Sequence, residues 1–330
     1  MKVLVIGKQE RCETYMPDLP IAKEAEKVYV KMGTADEEIL KCAGDADVIL
    51  ADAIGKVSAN LIGHMPNLKM IHSEGVGYNG IDVKAAAAKN VYVCNNPGVN
   101  AGAVAEQAIL LMLGLLRDVV DGHAKELEGR QIEVKEQKML DGITELADCS
   151  VGLIGFGNIA KATAVRLNAF GCKVYYYNHR RKSEEEEKKY GVEYLPLDKL
   201  AEVCDIVSIH VAVTPETVGM INRGFLSKMK RTAFFINTSR GELVDNDALK
   251  EALESGQIAG AGLDTIYPEP TTKDNPLLNL AEDCPARVLY SPHIGGITRS
   301  SFRRCHEQVW QNFQRIAAGE KPVNVVNGVQ

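Results

Sequence analysis

Two groups of residues in this chain have the types and the spacing for chemistry. The first is VGLIGFGNIAKATAVRL at 151–167, in which Gly155, Gly157 and Ala160 follow an apolar strand and open a helix. A pyrophosphate cradle needs that context. Gly155 permits a tight turn, Gly157 lets the main chain approach a phosphate, and Ala160 allows close helix–strand packing. The backbone of Phe156, Asn158 and Ile159 at the helix start offers unpaired N–H groups to the anion. The plain alternative is a strand–turn–helix that merely contains glycines. The second group lies downstream: Arg240 in NTSRGELVD, Asp264 and Glu269 in GLDTIYPEP, and His293 in SPHIGG. Each follows the carboxyl end of an expected strand, so all can face one crevice although they are far apart in sequence. A guanidinium, a carboxylate and an imidazole are the groups that hydride chemistry needs. Taken one at a time, Arg240 could instead pair with Glu242 or Asp245, and His293 could be a satisfied core histidine.

A third feature bears on the cradle's ligand. About twenty residues past the glycines, an NAD site presents an acid to the ribose 2′-hydroxyl. This chain has Asn178 there, followed by His179, Arg180, Arg181 and Lys182. A carboxylate ~4 Å from a 2′-phosphate costs about 4 kcal/mol per pair of unit charges at an effective dielectric of ~20. Guanidinium groups reverse the sign and grip phosphate bidentately. The pattern favours NADP(H), with NAD(H) second. The alternative is a set of solvated cations on a loop.

These residues need elements to place them. KVLVIG, DVILAD, LKMIHSEG and VYVCN read as buried strands in the first hundred residues, and SVGLIGFG, KVYYYN, DIVSIHV, AFFIN, AGAGLD and RVLYSPH as six more. Helical patterns fall between them, at Ile21–Met32, Asp82–Lys89, a long tract Ala101–Glu128, and Asp247–Ser255 with Asp245 or Asn246 as cap. Such alternation predicts an α/β chain of two doubly wound parallel-sheet domains. SEEEEKK at 183–189 reads as a solvated helix face.

A net charge of −6 and a pI near 5.7 argue against nucleic acid or a membrane surface as partner. Eight scattered cysteines with no CxxC pair suit reduced thiols in a cytoplasmic protein. MKVLVIG reads as a first strand rather than a secretory signal, and the apolar run Ala101–Leu116, with Glu106 and Gln107, falls short of a membrane span. His64, His72, His123 and His306 show no ligand spacing, and no metal is expected.

In order and spacing, GVGYNGIDV, NNPGVNAGAVAEQAI, GLIGFGNIA, HVAVTPETVGMI, INTSRGELVD, GLDTIYPEP and SPHIGG resemble the D-2-hydroxyacid dehydrogenase family over essentially the full length. The resemblance implies a flavodoxin-like substrate domain from 1–99 and 294–330, an inserted Rossmann-type dinucleotide domain at 100–293, and a homodimer made through the latter. It implies His293 as proton donor and acceptor, Glu269 as its hydrogen-bond partner, and Arg240 as the group that binds the substrate carboxylate and polarises the keto oxygen. The backbone around Gly75, Val76 and Gly77 would hold the same carboxylate. Asp264 would orient the nicotinamide carboxamide. Val211, Thr217, Thr238 and Ser239 would line the cofactor, with His210 a structural neighbour of it rather than a second base. The expected substrate is a small 2-keto or 2-hydroxy acid such as glyoxylate, hydroxypyruvate or a branched-chain analogue. A phosphoglycerate dehydrogenase would need a basic residue on the substrate domain, for which Lys56 and His72 are the candidates. Glu269 argues against formate dehydrogenases, which carry glutamine there. A cofactor-sensing corepressor is the reading from another class. One departure stands out: many members have Gly-x-Trp before the phosphate loop, where this chain has Gly129, Arg130, Gln131 and Ile132.

Overall fold

Every strand-to-strand pairing in the computed structural model, which describes residues 1–330, is parallel. Parallel strands carry side chains packed on both faces, which is why runs such as VILA and FFIN are buried at every position. The strands form two sheets, and the chain divides accordingly into a unit of Met1–Asn100 with Ile297–Gln330 and a unit of Ala101–Gly296.

The first unit contains β1 (Lys2–Ile6), β2 (Glu26–Val30), β3 (Val48–Ala51), β4 (Met70–Ser73) and β5 (Tyr92–Cys94), in the order β2-β1-β3-β4-β5. Alternation along β1 splits its side chains between two cores. Leu4 and Ile6 pack with Ile39, Leu61 and Ile62 from the helices Asp36–Ala43 and Ala59–Gly63. Val3 and Val5 pack with Val309, Trp310 and Phe313 from the helix Arg299–Ala317. The helix expected over Ile21–Met32 is corrected: a short helix, Pro20–Glu24, is followed by β2. EKVYV has β-branched and aromatic residues, and pairing with β1 along Lys2↔Glu26 to Ile6↔Val30 supplies hydrogen bonds that an amphipathic pattern alone does not foretell.

The second unit contains β6 (Ser150–Ile154), β7 (Lys173–Tyr177), β8 (Glu193–Tyr194), β9 (Ile206–Ile209), β10 (Phe234–Asn237), β11 (Gly260–Leu263) and β12 (Arg287–Tyr290), in the order β12-β11-β10-β9-β6-β7-β8. β8 adds a seventh strand to the six expected; two residues are too few to leave a pattern. The order reverses between β6 and β9, where an open α/β sheet binds its ligand outside the carboxyl ends. The long helix expected over Ala101–Glu128 is two helices, Ala101–Arg117 and Val119–Leu127. Between them Asp118 adopts a left-handed backbone (φ 51°), a conformation Asp tolerates better than most residues. Its carboxylate takes Lys138 Nζ and lies 3.6 Å from Arg287 Nε. A further helix, Gln131–Asp141, follows. No helix is long and apolar enough to cross a membrane.

His72, on β4, is fully buried, with Nδ1 donating to Ser73 O (2.8 Å) and Nε2 accepting from Asn312 Nδ2 (3.1 Å). Burial pushes its pKa down to about 4. In the unfolded chain the ring protonates near the ordinary 6.5, so the folded state binds fewer protons between these values. The neutral ring's contribution is complete above pH ~6.5 and is lost as pH falls toward ~4, in total about 3 kcal/mol. Urea unfolding of the wild type should show that loss between pH 7 and pH 4. His72→Gln should show a loss smaller by roughly the same amount, because it has no titrating ring.

Candidate active site

At the end of β6 the chain turns through Gly155 with φ +89°. A Cβ there would come within 2.7 Å of Val211 Cγ1 and 2.9 Å of His210 O, so only glycine fits. Gly157 differs: a Cβ on it would meet no protein atom within 4 Å. It precedes the helix Asn158–Phe170, which no side chain caps, so the first-turn N–H groups point into that open space unpaired. Thr238 is buried and its hydroxyl has no partner. Open space over a glycine, uncapped N–H groups and an orphan hydroxyl fit a bound dinucleotide. Thr265, which directly follows Asp264, has the same orphan hydroxyl and is 2% exposed; a single threonine carries no motif that marks it in the sequence.

Several expected cofactor-lining side chains are occupied in holding loops. Ser239 Oγ donates to Val211 O (2.6 Å), and Thr217 Oγ1 accepts from Thr214 N and donates to Ala212 O (both 2.7 Å). His210 Nε2 lies 3.0 Å from Ser208 Oγ.

Past β7 the basic cluster divides. Asn178 Oδ1 accepts from Phe156 N (3.3 Å) and its Nδ2 donates to Arg180 O (2.8 Å), which stitches this loop to the glycine turn. His179 and Arg180 are exposed, and neither side chain has a protein partner. Arg181 does not join them. Its guanidinium grips Glu187 through Nε (2.8 Å) and Nη2 (2.9 Å), while Tyr176 Oη donates to the same carboxylate (2.7 Å). These bonds, Arg181's first, hold the Glu187 carboxyl down to about 2. Glu187 is therefore a buried anchor inside a run that reads as a solvated helix face, and Arg181 is the cation committed to it.

The loop after β10 carries Arg240. Asn237 fixes this loop, with Oδ1 accepting from Ser239 N and Nδ2 donating to Arg240 O, both at 2.9 Å. Arg240 Nη1 donates to Ser239 O (2.8 Å), and no carboxylate pairs with the guanidinium. Asp245 instead caps the helix Asn246–Glu254 through Ala248 N. Gly241 lets the Arg240 loop lie against 266–267, since a Cβ on it would stand 2.2 Å from Tyr267 N. Two residues on, Glu269 Oε1 lies 2.8 Å from His293 Nδ1. That hydrogen bond, together with the charges of His293 and Arg240, holds the Glu269 carboxyl below the ordinary carboxylate range. With Nδ1 engaged, His293 keeps Nε2 free of protein partners.

His293 itself has a left-handed backbone, φ 53°. Its N–H donates to Asp264 O (2.8 Å) and Ser291 O (3.0 Å). The Asp264 carboxylate, 3% exposed, accepts from Ile294 N (3.0 Å), Gly295 N (2.8 Å) and Ser291 Oγ. Asp264 thus holds the histidine loop in place.

Residues 109–295 match the family model described as D-isomer specific 2-hydroxyacid dehydrogenase, NAD binding domain. The chain belongs to the D-isomer-specific 2-hydroxyacid dehydrogenase family. It is 38% identical over 289 residues to a glyoxylate reductase of Korarchaeum cryptofilum, covering 88% of this chain and 85% of the relative. It is 37% identical over 315 residues to a glyoxylate reductase of Thermofilum pendens, covering 94% and 91%. The solved TT0316 protein of Thermus thermophilus superposes with a TM-score of 0.83 at 30% identity, over 99% of this chain and all of that one. This dehydrogenase is an oxidoreductase that works with a pyridine nucleotide.

In the dehydrogenase's first unit, Gly75, Val76 and Gly77 follow β4. The carbonyls of this loop all bond inward: Glu74 O to Asn96 Nδ2 (2.9 Å), Gly75 O to Asn96 N (3.0 Å), Val76 O to Asn95 Nδ2 (2.8 Å) and Gly77 O to Ser73 Oγ (2.5 Å). The N–H groups of Val76 and Gly77 have no partner in the chain, so both are open to an anion. His72, by contrast, is buried with both nitrogens bonded and offers nothing to a phosphate; of the two basic candidates only Lys56 is exposed.

Proposed function

We propose that this dehydrogenase transfers hydride between NADP(H) and C2 of a small 2-keto or 2-hydroxy acid. One observation carries the reading: a histidine fixed by a carboxylate at Nδ1 and free at Nε2, in the same unit as an arginine that no carboxylate neutralises. A bound nicotinamide supplies or accepts the hydride at C2, and the residues named below do the remaining work. His293 gives a proton from Nε2 to the oxygen at C2, or removes it in the oxidation direction. Glu269 fixes the ring's tautomer and stabilises its cationic form. Arg240 binds the substrate carboxylate and polarises the keto oxygen. The free N–H groups of Val76 and Gly77 offer a place for a substrate carboxylate, which supports reading the unit of Met1–Asn100 and Ile297–Gln330 as the substrate-binding domain. The backbone N–H groups of Gly157–Ile159 and the Thr238 and Thr265 hydroxyls hold the nucleotide, those of Gly155 and Phe156 being already given to Tyr177 O and Asn178 Oδ1.

Asn178 in place of an acid, with His179 and Arg180 unpaired, supports NADP(H) over NAD(H). The names of the relatives favour glyoxylate as substrate, and the loss of His72 as a phosphate ligand counts against a phosphorylated acid. The helices Val119–Leu127 and Gln131–Asp141 bury no residue of their own, and Leu127, Ile132, Met139 and Leu140 are 78%, 64%, 69% and 82% exposed. So much exposed apolar surface needs a cover, which a second copy of the chain supplies.

His293→Asn keeps a residue that tolerates the left-handed backbone but removes the proton carrier. It should lower kcat by about 100-fold or more while NADPH affinity, read by fluorescence titration, stays near wild type. With glyoxylate and hydroxypyruvate, kcat/KM should be higher with NADPH than with NADH, and Asn178→Asp combined with Arg180→Ala should reverse the order. A wild-type preference for NADH would refute the cofactor assignment. Leu140→Glu should turn a dimer into a folded monomer by analytical ultracentrifugation; an unchanged sedimentation coefficient would remove these helices from the interface.

A further inference from the structure

Arg11, Asp52, Glu74 and His306 form a part-buried cluster of ionisable groups in the first unit that the proposed mechanism leaves unused. Arg11 lies in the helix Gln9–Thr14 after β1, Asp52 directly follows β3, and Glu74 directly follows β4. These are carboxyl ends of parallel strands, beside the β1/β3 reversal where sheets of this order place ligands. Arg11 Nη2 is 2.6 Å from Asp52 Oδ2 and 2.5 Å from Glu74 Oε2, and its Nε donates to Glu74 Oε1 (3.0 Å). His306 Nε2, on the helix Arg299–Ala317, reaches the same Oε1 at 2.9 Å. Glu74 is 5% exposed and immediately precedes Gly75. In the turn after β3, Ala53, next to Asp52, lies against the same loop: a Cβ on Gly75 would stand 2.8 Å from Ala53 Cβ.

Cys12, Glu74 and His306 also bring three ligand-type atoms within 4.8 Å of one another. A metal does not suit them. The permanently charged guanidinium already occupies Glu74, and a divalent ion would sit against it.

We propose that Arg11 is a positioning residue for the substrate carboxylate, a proposal that rests on Gly75–Gly77 being the substrate nest. It acts in two ways. Tying the residues that follow β3 and β4 to one guanidinium fixes the backbone from which Val76 and Gly77 present their N–H groups. Its charge also offsets two carboxylates that would otherwise repel an anion bound there. Removing Arg11 loosens the nest and exposes the substrate to that repulsion, so both effects weaken binding.

The test measures KM for glyoxylate, Ki for the unreactive dianion oxalate, kcat, and NADPH affinity. Arg11→Gln should raise KM and Ki by about tenfold or more. It should leave NADPH affinity unchanged and kcat within about threefold of wild type. A merely structural role would lower melting temperature and active fraction without moving KM. Arg11→Gln combined with Glu74→Gln removes one charge of each sign and should recover much of the loss in Ki. Arg11→Lys keeps the charge but not the fork, and should fall between wild type and Arg11→Gln; it serves if Arg11→Gln does not fold. Gly75→Ala, which pushes the nest against Ala53, is the control for the underlying reading. If Gly75→Ala raises KM and Ki while the Arg11 variants stay within twofold of wild type, the brace is overturned and the nest stands. If all of them stay within twofold, the nest reading falls and the brace with it.

Discussion

The candidate site depends on one buried carboxylate. Asp264, at the end of β11, accepts hydrogen bonds from the main chain of Ile294 and Gly295 and from the Ser291 hydroxyl, while its own carbonyl receives the His293 N–H. Hydrogen bonds to a charged group contribute about 1.5–3 kcal/mol each. The three bonds together outweigh the ~1–3 kcal/mol that a left-handed backbone costs a residue such as histidine. The ring can therefore be held at an angle the local sequence would not choose, with Nδ1 on Glu269 and Nε2 free. Gly295 belongs to the same arrangement, since a Cβ there would stand 2.8 Å from Asp264 Oδ2.

The cations of this protein fall into two kinds. Arg181 and Arg11 are committed to partners within the chain, each forked onto a buried glutamate whose charge it satisfies. Arg240 and Arg180 form no ion pair with a carboxylate, although the Arg240 charge is felt at Glu269. A guanidinium left unpaired at the carboxyl edge of a parallel sheet is positioned for an anion brought from solution, and this difference in pairing separates the arginines proposed to bind ligand from those that hold structure. The same distinction applies to the backbone: the loop Gly75–Gly77 turns its carbonyls inward and leaves two N–H groups unpaired, and the helix start after Gly157 is left uncapped.

By itself the sequence determined the α/β class, the glycine turn and the family. Each of these rests on local pattern: continuous apolar runs between helical segments, a glycine spacing tied to a strand–helix junction, and motifs whose order and separation survive without coordinates. Arg240, Glu269 and His293 could be put forward as candidates on the same kind of pattern, since each lies after a strand end. Tertiary structure decided what depends on partners distant in the chain. Glu26–Val30 became a strand because β1 supplied its hydrogen bonds. The tract Ala101–Glu128 broke at Asp118, where Lys138 and Arg287 meet its carboxylate. Which arginine of the basic run remains free, whether His72 can reach a phosphate, and how Arg11 joins the ends of two strands were likewise settled only on folding. A charge pattern gives the number of cations, but their pairing is set by distances between residues that the linear order leaves far apart.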